Sequence, residues 1–141
     1  MGLNPQFDAA HFNEFGRAFL PGHMSVRIDA VEEGSLRAHL PVQAHHLAPN
    51  GYLHAATVVS LADTACGYAC IAHLPEDAVS FTTIELKANF IGTVREGSIA
   101  CEARVIHLGR TTQLWEARVT NADGGKLIAV FQGTQMLLRK R

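Results

Sequence analysis

Apolar and polar residues follow two different rhythms along this chain. From Gly51 to Leu74 the run YLHAATVVSLADTACGYACIAH is apolar on every side of a helix, and its only charged residue is Asp63. Pro75 follows at the point where such a helix can stop. Upstream, DAAHFNEFGRAF (8–19) places Phe12, Phe15 and Phe19 at helical spacing, with Asp8 as N-cap. MSVRIDAV then alternates, with Met24, Val26, Ile28 and Ala30 on one face. EEG turns the chain into SLRAHLPV, where Leu36, Ala38 and Leu40 share a face, and the pair reads as a hairpin. A polar segment, QAHHLAPNG, leads to the long helix. Beyond Pro75 the period is again two. Ile84, Leu86, Ala88 and Phe90 alternate with Thr83, Glu85, Lys87 and Asn89. Ile99, Cys101, Ala103 and Val105 form a second such row, and Gln113, Trp115, Ala117 and Val119 a third. NADGGK carries the Asp-Gly signal of a hairpin into a last strand near Leu127 to Leu137.

These elements predict one α+β domain over 1–141, with 1–22 as an N-terminal helical segment. A strand with one apolar face must bury it against another layer. A helix apolar all round must be enclosed. One curved antiparallel sheet wrapped around the central helix satisfies both. That sheet covers only part of the helix, so a second copy is expected on the remainder, giving a homodimer or a dimer of dimers.

Charge and cysteine content narrow the possible partners. Twelve Lys and Arg against thirteen Asp and Glu give a net charge of −1, leaving no field to gather nucleic acid or an acidic membrane. An anionic ligand would have to meet a local basic patch. Three cysteines with no CxxC pair indicate packing thiols in a reducing compartment rather than a disulfide frame or zinc site. The N-terminal stretch carries Asp8, Glu14 and Arg17 and lacks the apolar core of a signal peptide. Asp63 at the centre of the apolar helix argues against a membrane span. A cytoplasmic protein is the expectation.

A carboxylate inside an apolar helix costs several kcal/mol, roughly, if it is buried and unpaired. The stretch around it, NGYLHAATVVSLADTACGYA, resembles the signature of hotdog-fold acyl-CoA thioesterases of the phenylacetic-acid-degradation type, within the 4-hydroxybenzoyl-CoA thioesterase superfamily. There a Gly-x-x-His-Gly-Gly stretch opens the central helix and an acidic residue follows nine positions after the His. Gly51, His54 and Asp63 fall on those positions. TTIELKANFIGTVREG (82–97), HLGRTTQLWEARV (107–119) and ADGGKLIAVFQGT (122–134) resemble the family's later strands in order and spacing. The resemblance implies a hotdog fold and hydrolysis of an acyl-CoA, with an aromatic or medium-chain acyl group. Coenzyme A would be part of the substrate, and neither a separate cofactor nor a metal is implied. Three departures stand out. Ala55 and Ala56 replace the two glycines, and Ala48 replaces an asparagine six positions before the His, with Asn50 close by.

A thioester carbonyl needs stabilisation as it becomes an oxyanion, and a helix N-terminus offers free N–H groups with a favourable dipole. The amides near Ala55 are the expected donors, and the resemblance implies the Ala55 N–H itself, since Ala55 stands at the family's first Gly position. Asp63 is the acidic side chain available to attack or to activate water. Eight helical residues separate the two, about 12 Å at ~1.5 Å per residue, too far for both to touch one carbonyl. Antiparallel central helices in a dimer would bring Asp63 of one chain to the Ala55 end of the other. For the coenzyme A phosphates, Arg110 after Gly109 is the first candidate, with Arg95 and Lys87 behind it.

Plainer readings stand beside these. Asp63 as a dimer-contact residue, His54 as a cap, Asn50 as turn chemistry and Arg110 as an exposed strand-end charge all fit the pattern. Ser60 and Thr64 read as hydroxyls satisfied within the helix. The pair His45-His46 reads as solvated loop histidines without a third metal ligand, and the terminal RKR as a solvated tail. Two rival functions remain. One is a non-catalytic acyl-CoA binder that kept the fold. The other is a hotdog hydratase or dehydratase, suggested only by PGHM (21–24), whose His23 precedes two strands rather than the helix.

Overall fold

The computed structural model describes residues 2–141. Its elements are α1 (Ala9–Phe15), α2 (Leu20–His23), β1 (Arg27–Glu32), β2 (Ser35–Pro41), a 3-10 turn (Ala44–His46), α3 (Ala55–Ala72), β3 (Ala78–Phe90), β4 (Ser98–Leu108), β5 (Thr112–Asn121) and β6 (Leu127–Arg139). The six strands form one antiparallel sheet in the order β1-β2-β4-β5-β6-β3, curled around α3. This is the α+β layout the periodicity predicts. The side of α3 against the sheet is built from Val58, Leu61, Ala62, Ala65, Ala69 and Ala72, all buried. Mostly small side chains there let the helix sit close to the Trp115, Val119, Ile99 and Leu36 layer beneath it. The helix has the length and mean hydropathy of a membrane span, yet most of it is buried inside the protein.

A chain of buried polar groups closes the C-terminal end of α3. Trp115 Nε1–H donates to Gln113 Oε1, and Gln113 Nε2–H donates to the His73 carbonyl. His73 Nε2 accepts from Gly34 N–H, and its Nδ1 is 2.8 Å from the Ala69 carbonyl. Buried polar groups are tolerated when partnered in this way. Burial pushes the Cys70 and Cys101 thiols up to about 12 and raises Cys66 too, so all three free cysteines are inert packing groups.

Several boundaries differ from the sequence pattern. The helix begins at Ala55, not Gly51, because Gly51 lies at φ +84° in a turn and His54 is the N-cap. The N-terminal helix stops at Phe15. Gly16 follows, pressed so close to the Tyr68 hydroxyl that a Cβ there would collide, and Phe19 therefore lies outside any long helix and stays exposed. Asp8 is the N-cap as expected, accepting from His11 N–H at 2.8 Å. β1 starts at Arg27, since Ser25 at φ +62° turns the chain first and takes Met24 off the strand. A bulge between Ile28 and Ala30 then reverses the alternation, so Val31 rather than Ala30 pairs with buried Leu36. A second bulge between Thr83 and Glu85 leaves Ile84 out of the rows. The terminal Arg139 is not a free tail residue: its Nε–H donates to Asp77 Oδ2 at 2.7 Å.

The two edges of the sheet differ. Against β1, Asn13 of α1 acts as a one-residue strand, accepting from Ile28 N–H at 2.8 Å and donating to the Ile28 carbonyl at 3.0 Å. Against β3, thirteen residues long, no strand or helix among the described residues pairs on the outer side. Val79, Ile84, Leu86 and Phe90 there are each more than two-fifths exposed.

Candidate active site

The N-terminus of α3 is set by the segment that precedes it. Asn50 Oδ1 accepts from Tyr52 N–H at 3.1 Å, a local turn that goes with Gly51 at positive φ. Ala48 N–H donates to the Tyr52 carbonyl, and Leu47 bridges Leu53. His54 then caps the helix, its Nδ1 accepting from Ala56 N–H at 2.9 Å. Thr57 N–H goes to the His54 carbonyl. Of the first three helical amides this leaves Ala55 N–H, which has no acceptor among the described residues. It points out of the helix end with the dipole behind it. Because His54 Nδ1 accepts, the neutral ring carries its hydrogen on Nε2.

Asp63 lies two helical turns further on, half-buried on the face of α3 turned away from the sheet. Its Oδ1 is shut off from solvent and has no hydrogen-bond partner among the described residues. Desolvation pushes its carboxyl above the usual range. Ser60, on the same face, also has an unpartnered buried hydroxyl, contrary to the expectation of a helix-satisfied one. One turn beyond Asp63, Phe81 of β3 lies over Gly67, where a Cβ would come within 2.9 Å of the ring. An orphaned carboxylate oxygen on an outward face is costly in a lone chain. Asp63 and the Ala55 amide are not brought together within one chain, as the helical spacing requires.

The cationic candidates separate. Arg95, in the β3–β4 connection, stacks its guanidinium on the Tyr52 ring at 4.5 Å and reaches toward Gly51, so it belongs to the α3 N-terminal turn. Tyr52 carries no motif that singles it out in the sequence. Arg110 sits in the β4–β5 turn, where its carbonyl accepts from Arg139 Nη2–H beside Asp77, just past the C-terminal end of α3. Gly109 shapes that turn, its N–H donating to the Thr112 carbonyl. Lys87 lies in a row with Gln132 and Glu116, both exposed, on the outer face of the sheet away from α3. That row excludes it from the group around His54. His23 ends α2 and precedes β1 and β2, so it is not at the start of α3. It packs near His45, whose ring is 4.1 Å from that of His46. His46 is fully buried, not solvated. No cluster of His, Cys, Asp or Glu among the described residues is arranged to hold a metal ion.

A long helix half-wrapped by a six-stranded antiparallel sheet, with an unfilled amide at its start and an acid at its middle, is the layout of a hotdog thioesterase. A mutant thioesterase from Pseudomonas aeruginosa superposes with a TM-score of 0.89 at 28% identity, covering 94% of this chain and 95% of that one. The Escherichia coli PaaI protein of the phenylacetic acid degradation operon shares the fold, with a TM-score of 0.81 at 24% identity over 92% of this chain and 91% of that one. Residues 50–128 match the thioesterase superfamily, and the chain belongs to that family. It is also similar to the 1,4-dihydroxy-2-naphthoyl-CoA hydrolase of Listeria monocytogenes, 30% identical over 118 residues, covering 84% of this chain and 94% of that protein. The proofreading thioesterase EntH of Klebsiella pneumoniae is 28% identical over 137 residues, covering 97% and 99%. Family membership makes the general chemistry thioester hydrolysis.

Proposed function

We propose that this protein hydrolyses acyl-CoA thioesters carrying an aromatic acyl group, at sites shared between two copies of the chain. The observation that carries the reading is a pair of unmet needs on one helix: an amide without an acceptor at Ala55 and a carboxylate oxygen without a donor at Asp63. About 12 Å of helix, at ~1.5 Å per residue, keeps them apart within a chain. A twofold axis near Val59, with the two α3 helices antiparallel, brings each to the other's partner. The thioester carbonyl then lies between Ala55 N–H of one copy and Asp63 of the other. The Asp63 carboxylate attacks that carbon or takes a proton from an attacking water. The oxyanion that forms is held by Ala55 N–H and the dipole of α3. Collapse expels the coenzyme A thiolate, which picks up a proton, and water supplies the oxygen of the product acid. The His54 Nε2–H faces outward from the same turn and is a second donor. Arg95, braced on Tyr52, is the phosphate contact nearest that turn. The aromatic acyl group is supported by the naphthoyl-CoA substrate in the name of one relative. The reaction needs no metal and no cofactor besides the coenzyme A of its substrate, and it suits a cytoplasmic homodimer or dimer of dimers.

Release of free thiol from a panel of acyl-CoAs tests the activity, and no release from any would favour the non-catalytic binder that the Ala48, Ala55 and Ala56 departures allow. Two substitutions test the geometry. Asp63→Asn keeps the shape and removes the base. Ala55→Pro removes only the N–H, at the first helical position, where proline is accepted and the extended His54 backbone suits it. Each should lower kcat by about 100- to 1,000-fold, as loss of one oxyanion donor does. Co-expressed as a heterodimer, the two variants leave one site with neither defect. Activity should return to about half the wild-type value, as uncoupled sites would give. A verified heterodimer without rescue refutes the shared site.

A further inference from the structure

His46 accounts for how the α3 N-terminal turn is held. Its Nδ1 accepts from Gln43 N–H at 2.9 Å, closing the 3-10 turn. Its carbonyl accepts twice, from His54 N–H at 3.1 Å and from Thr57 Oγ1–H at 2.8 Å, so one residue fixes both flanks of Ala55. With Nδ1 accepting, the hydrogen sits on Nε2. That N–H makes no well-formed hydrogen bond and has the Met24 carbonyl near it. We propose that His46 is the positioning residue of this turn, and that its neutral imidazole keeps the Ala55 amide and the His54 ring in place while its protonation releases them. The catalytic part of this rests on the proposed thioesterase reading of the turn.

The argument is one of donors and acceptors. A protonated imidazole has two N–H groups and no acceptor. Its Nδ1–H would face the Gln43 N–H, and the 3-10 turn would lose its closing bond. The titratable groups acting on His46 are His45 from the same turn and His23 from α2, and both oppose a positive charge there. No carboxylate among the described residues offsets them. Burial is the largest influence and acts in the same direction, holding His46 below its ordinary value of 6.5 although the Met24 carbonyl favours the charge. The unfolded chain then binds the proton more readily than the folded one. Stability from this group is therefore complete above about 6.5 and is lost as pH falls toward the lowered value.

Two variants separate positioning from simple packing. In His46→Asn the side-chain oxygen replaces Nδ1 as acceptor and does not titrate, whereas His46→Leu removes the acceptor. Amide hydrogen exchange of residues 53–57, corrected for the intrinsic effect of pH, reads the turn directly. The wild type should loosen severalfold, up to about tenfold, between roughly pH 7.5 and 5.5. The Asn variant should stay protected at both values, and the Leu variant should exchange fast at both. On substrate, the acid limb of kcat should fall from a two-proton to a one-proton slope in His46→Asn, leaving the limb that belongs to Asp63. A turn equally protected at both pH values in the wild type, or the same loosening in His46→Asn, overturns the proposal. If no acyl-CoA is hydrolysed, the functional reading fails, and the exchange comparison still decides the role of His46. Should His46→Leu not fold, the comparison of wild type with Asn decides it alone.

Discussion

The first and last strands of the sheet solve the same problem in opposite ways. β1 is a short edge whose Ile28 backbone is clasped by Asn13, with Phe12 stacked on Tyr68 at 4.5 Å to hold α1 in place. Such cover prevents pairing with another chain. β3 has no cover. Leu86 and Phe90 pair with buried Gly133 and Ala129, so they point to the helix side of the sheet, yet they remain exposed. The uncovered half of the fold is also the half that holds the orphaned Asp63. One edge is finished within the chain, and the other is the edge that the proposed dimer would cover with a second copy. The difference locates the proposed site at the unfinished edge.

The strongest way to break this comparison is to charge the open edge. Leu86→Asp combined with Phe90→Asp should give a folded monomer by sedimentation and reduce activity by about 100-fold or more, the loss of an oxyanion donor being worth that much alone. A monomer with full activity would show that each site is complete in one chain. At the closed edge, Asn13→Ala leaves the Ile28 N–H and carbonyl without their partner. It should lower stability by about 1 kcal/mol in denaturant titrations, the typical worth of such bonds, with assembly and kcat unchanged. If Asn13→Ala dissociates the assembly, the wrong edge has been assigned to the partner.

Asp63 itself sharpens the comparison through pH. Burial raises its carboxyl, so the folded state favours the protonated form. The fold is spared the cost below the ordinary value of 3.8 and bears it as pH rises through the raised one. Asp63→Asn should therefore raise the melting temperature by a few degrees at about pH 8 and by less near pH 4, a shift that about 1 kcal/mol produces in a chain of this size. Equal shifts at both pH values would mean that Asp63 is already partnered.

The sequence made some of this visible and hid the rest for definable reasons. The order of elements follows from the change of hydrophobic period, and Asp63 stands out because it is the lone charge in an apolar run. Bulges were hidden. One extra residue near Asp29 and another at Ile84 exchange the faces of the strand residues beyond them, and a strict period of two assigns Ala30 and Ile84 to the wrong rows. The start of α3 was readable only with the turn chemistry of Asn50-Gly51 given more weight than the apolar pattern. His46 was illegible, because its burial comes from α2 and the 3-10 turn folding onto it and not from its neighbours in sequence. Arg95 and Tyr52 are 43 positions apart, and no local pattern announces their contact. Lys87 failed as a candidate because strand parity, once known, puts it on the outer face.

The smallest expected effect concerns the two arginines, which lie at opposite ends of α3 in one chain. If the helices pair antiparallel, Arg95 approaches a site from the chain that gives the Ala55 amide, and Arg110 from the chain that gives Asp63. Both can then contact the coenzyme A phosphates of one substrate, which bind alike in the ground and transition states. Substitution should raise KM more than it lowers kcat. Arg95 is braced by Tyr52, whereas the Arg110 side chain is exposed in a turn, so Arg95→Ala should have the larger effect, about 3- to 10-fold against about 2-fold, the range of modest exposed charge contacts. Both effects should shrink at high salt, which screens exposed charges. They should also vanish with an acyl-pantetheine substrate, which retains the thioester and lacks the phosphates. If Arg95→Ala raises KM equally for acyl-pantetheine, it supports the turn through Tyr52 and does not bind phosphate. If Arg110→Ala changes nothing with acyl-CoA, that turn lies outside the shared site, and the coenzyme A is held by the chain that carries the Ala55 amide.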